Sequence, residues 1–164
     1  MDTFLRENRD RYPNLDPDFI LQICFEHPDR FDDLLPAFDP KEHSAVRGER
    51  SLGWIYDNVR YDHNAELDFW YEQFDRFRES GHTGYEIYTH MVRTGTWPFP
   101  PVIIEAGFAM SLGAPEDVGQ PYHLIEGTHR VSYARRMMEL GLTDRARSVE
   151  VVELTPGRQT PTTQ

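Results

Sequence analysis

Lysine is almost missing from this sequence: Lys41 stands alone among 17 basic residues, so the positive side is arginine. Guanidinium groups suit bidentate ion pairs and phosphate recognition, and in their plainer use they scaffold salt bridges. Acids outnumber bases 28 to 17, and the formal charge of −11 disfavours generic coating of a polyanionic nucleic acid. Cysteine is equally scarce. Cys24 is the only one, which excludes an intrachain disulfide and a thiolate metal cluster and fits a reducing compartment. Its apolar setting, Phe19 to Phe25, reads as core. No uninterrupted apolar run approaches the ~20 residues that cross a bilayer. No basic-then-apolar leader opens the chain and no internal repeat recurs. Together these absences lead to the expectation of a cytoplasmic protein without a membrane partner and with nucleic acid disfavoured.

What is present describes a folded chain. A length of 164 residues with 38% hydrophobic and 13% aromatic content fits one domain, or one domain with an added helical layer, around a genuine core. The fold class expected is α+β, a small mixed sheet with packed helices. Residues 1–83 read as a helical extension packed on that core, 84–154 as the α+β part, and 155–164 as a disordered tail.

In the first part, Asp16 and Pro17 mark a helix start that runs through Cys24 and stops at Pro28, with a short helical piece at Phe31 to Leu35. Asp39 to Gly48 is polar and reads as an exposed loop. From about Ala65 to Glu79, after a cap at Asn64, apolar Leu67, Trp70, Tyr71, Phe74 and Phe77 recur at helical spacing, which favours core packing over a stacking pocket. Thr83 and Glu86 have capping-box spacing, and Tyr85, Tyr88, Met91 and Val92 form the inner face of the helix that follows. Gly95 ends it.

Trp97-Pro98-Phe99-Pro100-Pro101 cannot continue a helix and delivers the chain into Val102-Ile103-Ile104, an expected strand. Ala114 to Pro121 reads as loop, Tyr122 to Ile125 as a second strand, and Thr128 to Leu140 as a helix with Val131, Ala134, Met137 and Met138 inward. Ser148 to Leu154 is a third strand.

Chemistry concentrates between that second strand and its helix, in Glu126-Gly127-Thr128-His129-Arg130. Gly127 lets the backbone turn tightly and a ligand approach it, while a helix start presents unpaired amides to an anion. Arg130 adds positive charge, His129 is a proton-transfer candidate near neutral pH, and Glu126 is placed to hold a metal ion or accept a proton. The plainer alternative is a helix start with Thr128 as N-cap and Glu126 in a salt bridge to Arg135 or Arg130. Glu105, after the first strand, is a candidate second acid in the same cleft. Arg135 and Arg136 either extend a positive patch or are simply solvated. His63, His82 and His90 lack ligand spacing and read as surface or capping groups.

The segment Tyr122-His123-Leu124-Ile125-Glu126-Gly127-Thr128-His129-Arg130 resembles the ParB/sulfiredoxin superfamily, in which a "YxLIxG" strand runs into a helix bearing "GERR", "GCHR" or "DGHHR". The resemblance spans about residues 84–154, and the Trp97 to Ile104 stretch is similar to the family's first strand. It implies a nucleoside triphosphate or diphosphate with magnesium, held by Gly127, Thr128, His129 and Arg130. Glu126 and His129 are the implied catalytic pair and Glu126 the metal ligand of a phosphotransferase or nucleotide hydrolase. Thr128 replaces the nucleophilic cysteine of sulfiredoxins, which rules out their reaction. The ParB motif and the regions that follow it in ParB are also absent, which rules out a chromosome-segregation clamp. The alternative is a catalytically inert, acidic binding protein of the immunity or inhibitor kind that occupies a basic protein partner. Nuclease activity would need a basic groove that the charge balance argues against.

Overall fold

The computed structural model describes residues 2–27, 32–61 and 64–157. The expected helix stop at Pro28, the start of the piece at Phe31, His63, and residues 158–164 of the expected tail lie outside the described residues. So does the side chain of Asn64.

A five-stranded mixed sheet organises the chain, confirming the α+β class. Its strands are β1 (His43–Ser51), β2 (Val59–Arg60), β3 (Val102–Glu105), β4 (Tyr122–Glu126) and β5 (Ser148–Pro156), in the spatial order β1-β5-β3-β4-β2. β1 is antiparallel to β5, β3 is parallel to β5 and antiparallel to β4, and β2 is parallel to β4. Around the sheet lie α1 (Asp2–Arg11), α2 (Pro17–Phe19), α3 (Leu52–Asn58), α4 (Asn64–Ser80), α5 (Glu86–Thr94), α6 (Ala106–Ser111) and α7 (Thr128–Glu139).

Val102 to Ile104 in β3 and His123 to Ile125 in β4 are buried because both faces of the sheet are covered. Ile103, Leu124, Val149 and Val151 face one core, shared with Leu67, Phe74, Tyr88, Met91, Tyr133 and Met137 from α4, α5 and α7. Val102, Ile104, Ile125, Val152 and Leu154 face the other, built with Leu15, Phe19, Ile20, Ile23 and the α6 residues Ala106 and Ala109. Successive strand residues alternate between the two cores, as the pleat requires.

Several expectations need correction. Asp39 to Glu42 do lie outside any strand, but from His43 to Gly48 the polar stretch read as a loop is the start of β1, which pairs residue for residue with β5 from His43↔Pro156 to Ser51↔Ser148. It escapes notice because an edge strand hides little: of its nine residues only Ala45 is buried. The segment before residue 84 is therefore not a purely helical extension, since β1 and β2 complete the same sheet as β3, β4 and β5. Thr155 and Pro156 belong to β5 rather than to a tail.

The Asp16 cap forms, its carboxylate accepting from the Asp18 amide at 2.8 Å, but after Phe19 the helix widens into a π-helical turn, Ile20–Phe25. Tyr85, with no side-chain cap, begins α5, so Thr83 and Glu86 form no capping box. Val92 on the expected inner face is 47% exposed.

Candidate functional site

β4 runs between β3 and β2 with His123, Leu124 and Ile125 buried, and ends at Glu126. The chain then turns at Gly127, where φ is +114°. A Cβ there would lie 2.8 Å from the Pro101 Cβ and 3.3 Å from the Arg130 guanidinium carbon. Glycine is thus required for the turn, as its left-handed backbone implies. The group that approaches its main chain closely is the protein's own Pro101, rather than open space for a ligand. Gly127 is itself the N-cap of α7, with no side-chain hydrogen bond, so Thr128 does not cap the helix but sits 8% exposed in its first turn.

Arg130 turns inward. Only 2% exposed, it donates from Nη1 to the carbonyls of Phe99 (3.0 Å) and Pro100 (2.9 Å) and from Nη2 to Glu126 Oε1 (3.3 Å). Its guanidinium also lies over the Phe99 ring, 4.6 Å from the centroid. Burial pulls its pKa down to about 10, against the opposing pull of Glu126. The Phe99 and Pro100 carbonyls belong to neither a helix nor a sheet ladder, and a buried carbonyl without a donor is costly. Arg130 therefore stitches the first turn of α7 to the segment entering β3. It does not hold out a free positive charge, contrary to the expectation of direct phosphate neutralisation.

Glu126 is fixed on one side. Its Oε1 accepts from the Gly127 amide at 2.9 Å and from Arg130, while Oε2 lies 3.9 Å from His27 Nε2. The salt bridge to Arg130 is one of the two partners foreseen. Arg135 instead donates to the Val59 carbonyl at 3.1 Å, and Arg136 binds Asp75, Glu139 and the Tyr71 hydroxyl. Neither points to the corner or is merely solvated.

His129 packs against Trp70, ring centroids 3.4 Å apart, and its Nδ1 is hydrogen-bonded to the Tyr85 hydroxyl. Burial, reinforced by the neighbouring Arg130 charge, lowers its pKa to about 4. At neutral pH the ring is uncharged, so the expected proton transfer near pH 7 is not what this setting favours. Glu105 is exposed at the opposite end of the antiparallel β3–β4 pair, beside Tyr122, while Glu126 pairs with Val102. The two acids do not share a cleft.

Sequence reasoning missed four residues here. Trp70 and Tyr85 engage His129, and His27 meets Glu126. Gln22, 5% exposed, donates to the same Pro100 carbonyl as Arg130 at 3.1 Å, leaving its Oε1 without a partner. Trp70 was visible as an apolar position, but nothing in its spacing tied it to His129. Gln22 and His27 are distant in sequence and reach the corner only once the chain folds.

Among the described residues no cluster of three or more His, Cys, Asp or Glu side chains is arranged to hold a metal ion. A magnesium ion would therefore fit here only with Glu126 Oε2 and oxygens brought by the ligand, a pattern ordinary for Mg²⁺ beside phosphates. None of the described helices is long and apolar enough to cross a membrane. Searches against protein-family models, curated proteins and solved structures each return no match to this chain.

Proposed function

We propose that the chain binds a small phosphorylated ligand, a nucleoside di- or triphosphate with magnesium, at the start of α7. The observation that carries this reading is a twelve-residue helix beginning without a side-chain cap directly beside a carboxylate whose hydrogen bonds all fall on one oxygen, Oε1. The first-turn amides of Thr128, His129 and Arg130 suit phosphate oxygens. Glu126 already places negative charge at this helix end, so an anionic ligand is favoured when Mg²⁺ offsets its charge. Bound in that way, the ion would neutralise phosphate charge from Glu126 Oε2. Arg130 is then a positioning residue that holds Glu126 and the corner in place, and Glu126 is the group available to assist phosphoryl transfer, as the ParB/sulfiredoxin resemblance implies.

Thermal melting with Mg²⁺ and ATP, ADP, CTP or GTP tests this. At about one hundred times the dissociation constant, a ligand specific to the folded state adds about 2.7 kcal/mol, a readily measured rise. Glu126→Gln, whose amide oxygen can still accept from the Gly127 amide and Arg130, should lose the magnesium-dependent part of the rise, measured against the variant's own melting temperature without ligand. Absence of a shift with all four nucleotides removes the reading.

The second reading, an acidic protein that occupies a basic partner, draws on the internal use of Arg130 and on the net charge of −11. It predicts a salt-sensitive complex unaffected by Glu126→Gln.

A further inference from the structure

β1 is an edge strand, and its hydrogen-bonding groups face outward at odd-numbered residues. The Ala45 amide donates to the Asn14 carbonyl at 3.1 Å and the Ala45 carbonyl accepts from the Asp16 amide at 2.9 Å. The His43 carbonyl accepts from the Asn14 side chain, and the Glu49 carbonyl from Arg50 Nη1 at 3.0 Å. Within an antiparallel ladder the amide and carbonyl of one residue point the same way, and direction alternates along the strand. The Arg47 amide and carbonyl and the Glu49 amide therefore also face outward. Among the described residues, the segment at residues 14–16 meets the edge at His43 and Ala45, and no strand pairs with the outer side of β1 from Arg47 to Ser51. Arg50 Nη1 on the Glu49 carbonyl marks where the amide of an added strand would donate.

The side chains along this edge favour one kind of guest. Glu49 stands directly across β1–β5 from Glu150, a like-charge pair that destabilises a sheet. Arg47 answers Glu150 at 2.9 Å but also carries Asp16 and Asp18, so three acids share one guanidinium. Among the described residues the Glu49 carboxylate accepts from the Ser148 hydroxyl, at 3.0 Å, and pairs with no cation. A cation opposite Glu49 on an incoming strand would relieve the repulsion. Val46, 51% exposed, leaves an apolar side chain uncovered next to this stretch of the edge, which suits a guest that alternates apolar and basic residues. A second copy of this chain is a poor guest, because pairing would juxtapose two molecules of charge −11 and double the acid excess.

We propose that the Arg47–Ser51 edge of β1 docks an extended, basic segment of a partner protein by strand addition, with Lys or Arg opposite Glu49. This rests on the basic-partner reading and gives it a surface, and it uses no residue of the Glu126–Arg130 corner.

The test uses fluorescence anisotropy of a labelled, end-blocked peptide of about seven alternating valines and lysines, a length suited to strand addition. It should bind the full chain. Replacing its lysines by glutamate, N-methylating its pairing amides, or changing the protein by Glu49→Lys should each weaken binding about tenfold or more. Amide exchange at Arg47 and Glu49 should slow when the peptide is bound. Failure of the peptide to bind overturns the proposal, as does equal binding by the N-methylated form. Equal binding by Glu49→Lys overturns the edge while leaving a basic partner elsewhere on the surface. A dimer in sedimentation that Glu49→Lys dissolves would show the edge to be taken by a second copy, and overturns it too.

Discussion

Arg130 and Arg47 each place a guanidinium among oxygen acceptors, but in different surroundings. Arg130, 2% exposed, binds two carbonyls and one carboxylate inside the protein. Arg47, with its side chain 35% exposed, binds three carboxylates at the sheet edge. Burial lowers the pKa of the first, whereas hydrogen bonds to Asp16 and then Asp18 raise that of the second. Identical chemistry thus yields a fixed structural member in one place and a screened surface group in the other. The difference lies in what happens when the side chain is removed: water replaces Arg47, and nothing replaces Arg130.

The strongest way to break the comparison is Arg130→Ala. It takes the Arg130 donor from the Phe99 carbonyl, leaves the Pro100 carbonyl with Gln22, and removes the cation beside the part-buried Glu126. Removal of one member of a buried ion pair costs about 3–5 kcal/mol, read as the fall in stability in urea. Arg130→Lys should recover only part, because one ammonium cannot span both carbonyls and Glu126 as the planar fork does. A loss below about 1 kcal/mol, the scale of a surface pair, would place Arg130 with Arg47 and reopen its use for a ligand.

A smaller effect is expected from His129, which shares the first turn of α7 with Arg130. Its folded pKa is about 4 against an ordinary 6.5, so between these values the unfolded chain takes up a proton that the folded chain refuses. Stability from this group is therefore full above pH 6.5, declines as pH falls toward 4, and levels off below. Melting temperatures of the parent and His129→Gln proteins should converge across that window, the parent losing more. Parallel curves would mean that the ring is more open to water than its contacts with Trp70 and Tyr85 indicate.

Features held by local sequence were legible. Val102-Ile103-Ile104 is a strand because β-branched and apolar residues there bury on both faces, and α4 follows its three- and four-residue spacing. The turn at Gly127 follows from a glycine between a strand and a helix. The rest depends on distant parts of the chain. β1 looked like a loop because an edge strand with one buried residue has no hydrophobic alternation to read. Arg130 looked like an anion ligand because the Gly-x-His-Arg spacing does not say whether a guanidinium points out or in. The answer lies 30 residues earlier, where prolines interrupt regular pairing and leave the Phe99 and Pro100 carbonyls in need of a donor. His129 likewise read as a near-neutral titrating group until Trp70 and Tyr85 closed over it.

The smallest effect sharpens the comparison from the other side. Arg47→Ala removes three ion pairs at once, yet Asp18 and Glu150 can turn to water, and the more buried Asp16 keeps the Asp18 amide as a donor. The expected loss is about 1 kcal/mol at low salt, more than one exposed pair because Asp16, Asp18 and Glu150 then repel one another without a cation between them. The Debye length falls to about 3 Å at 1 M salt, so the difference from the parent protein should shrink severalfold there. The loss in Arg130→Ala should change less, because much of it comes from buried backbone carbonyls deprived of a donor rather than from a charge in contact with mobile ions. A salt-independent loss in Arg47→Ala would instead mean that this side chain holds the residue 14–16 segment against β1 by packing rather than by charge, making the edge more rigid than its exposure implies.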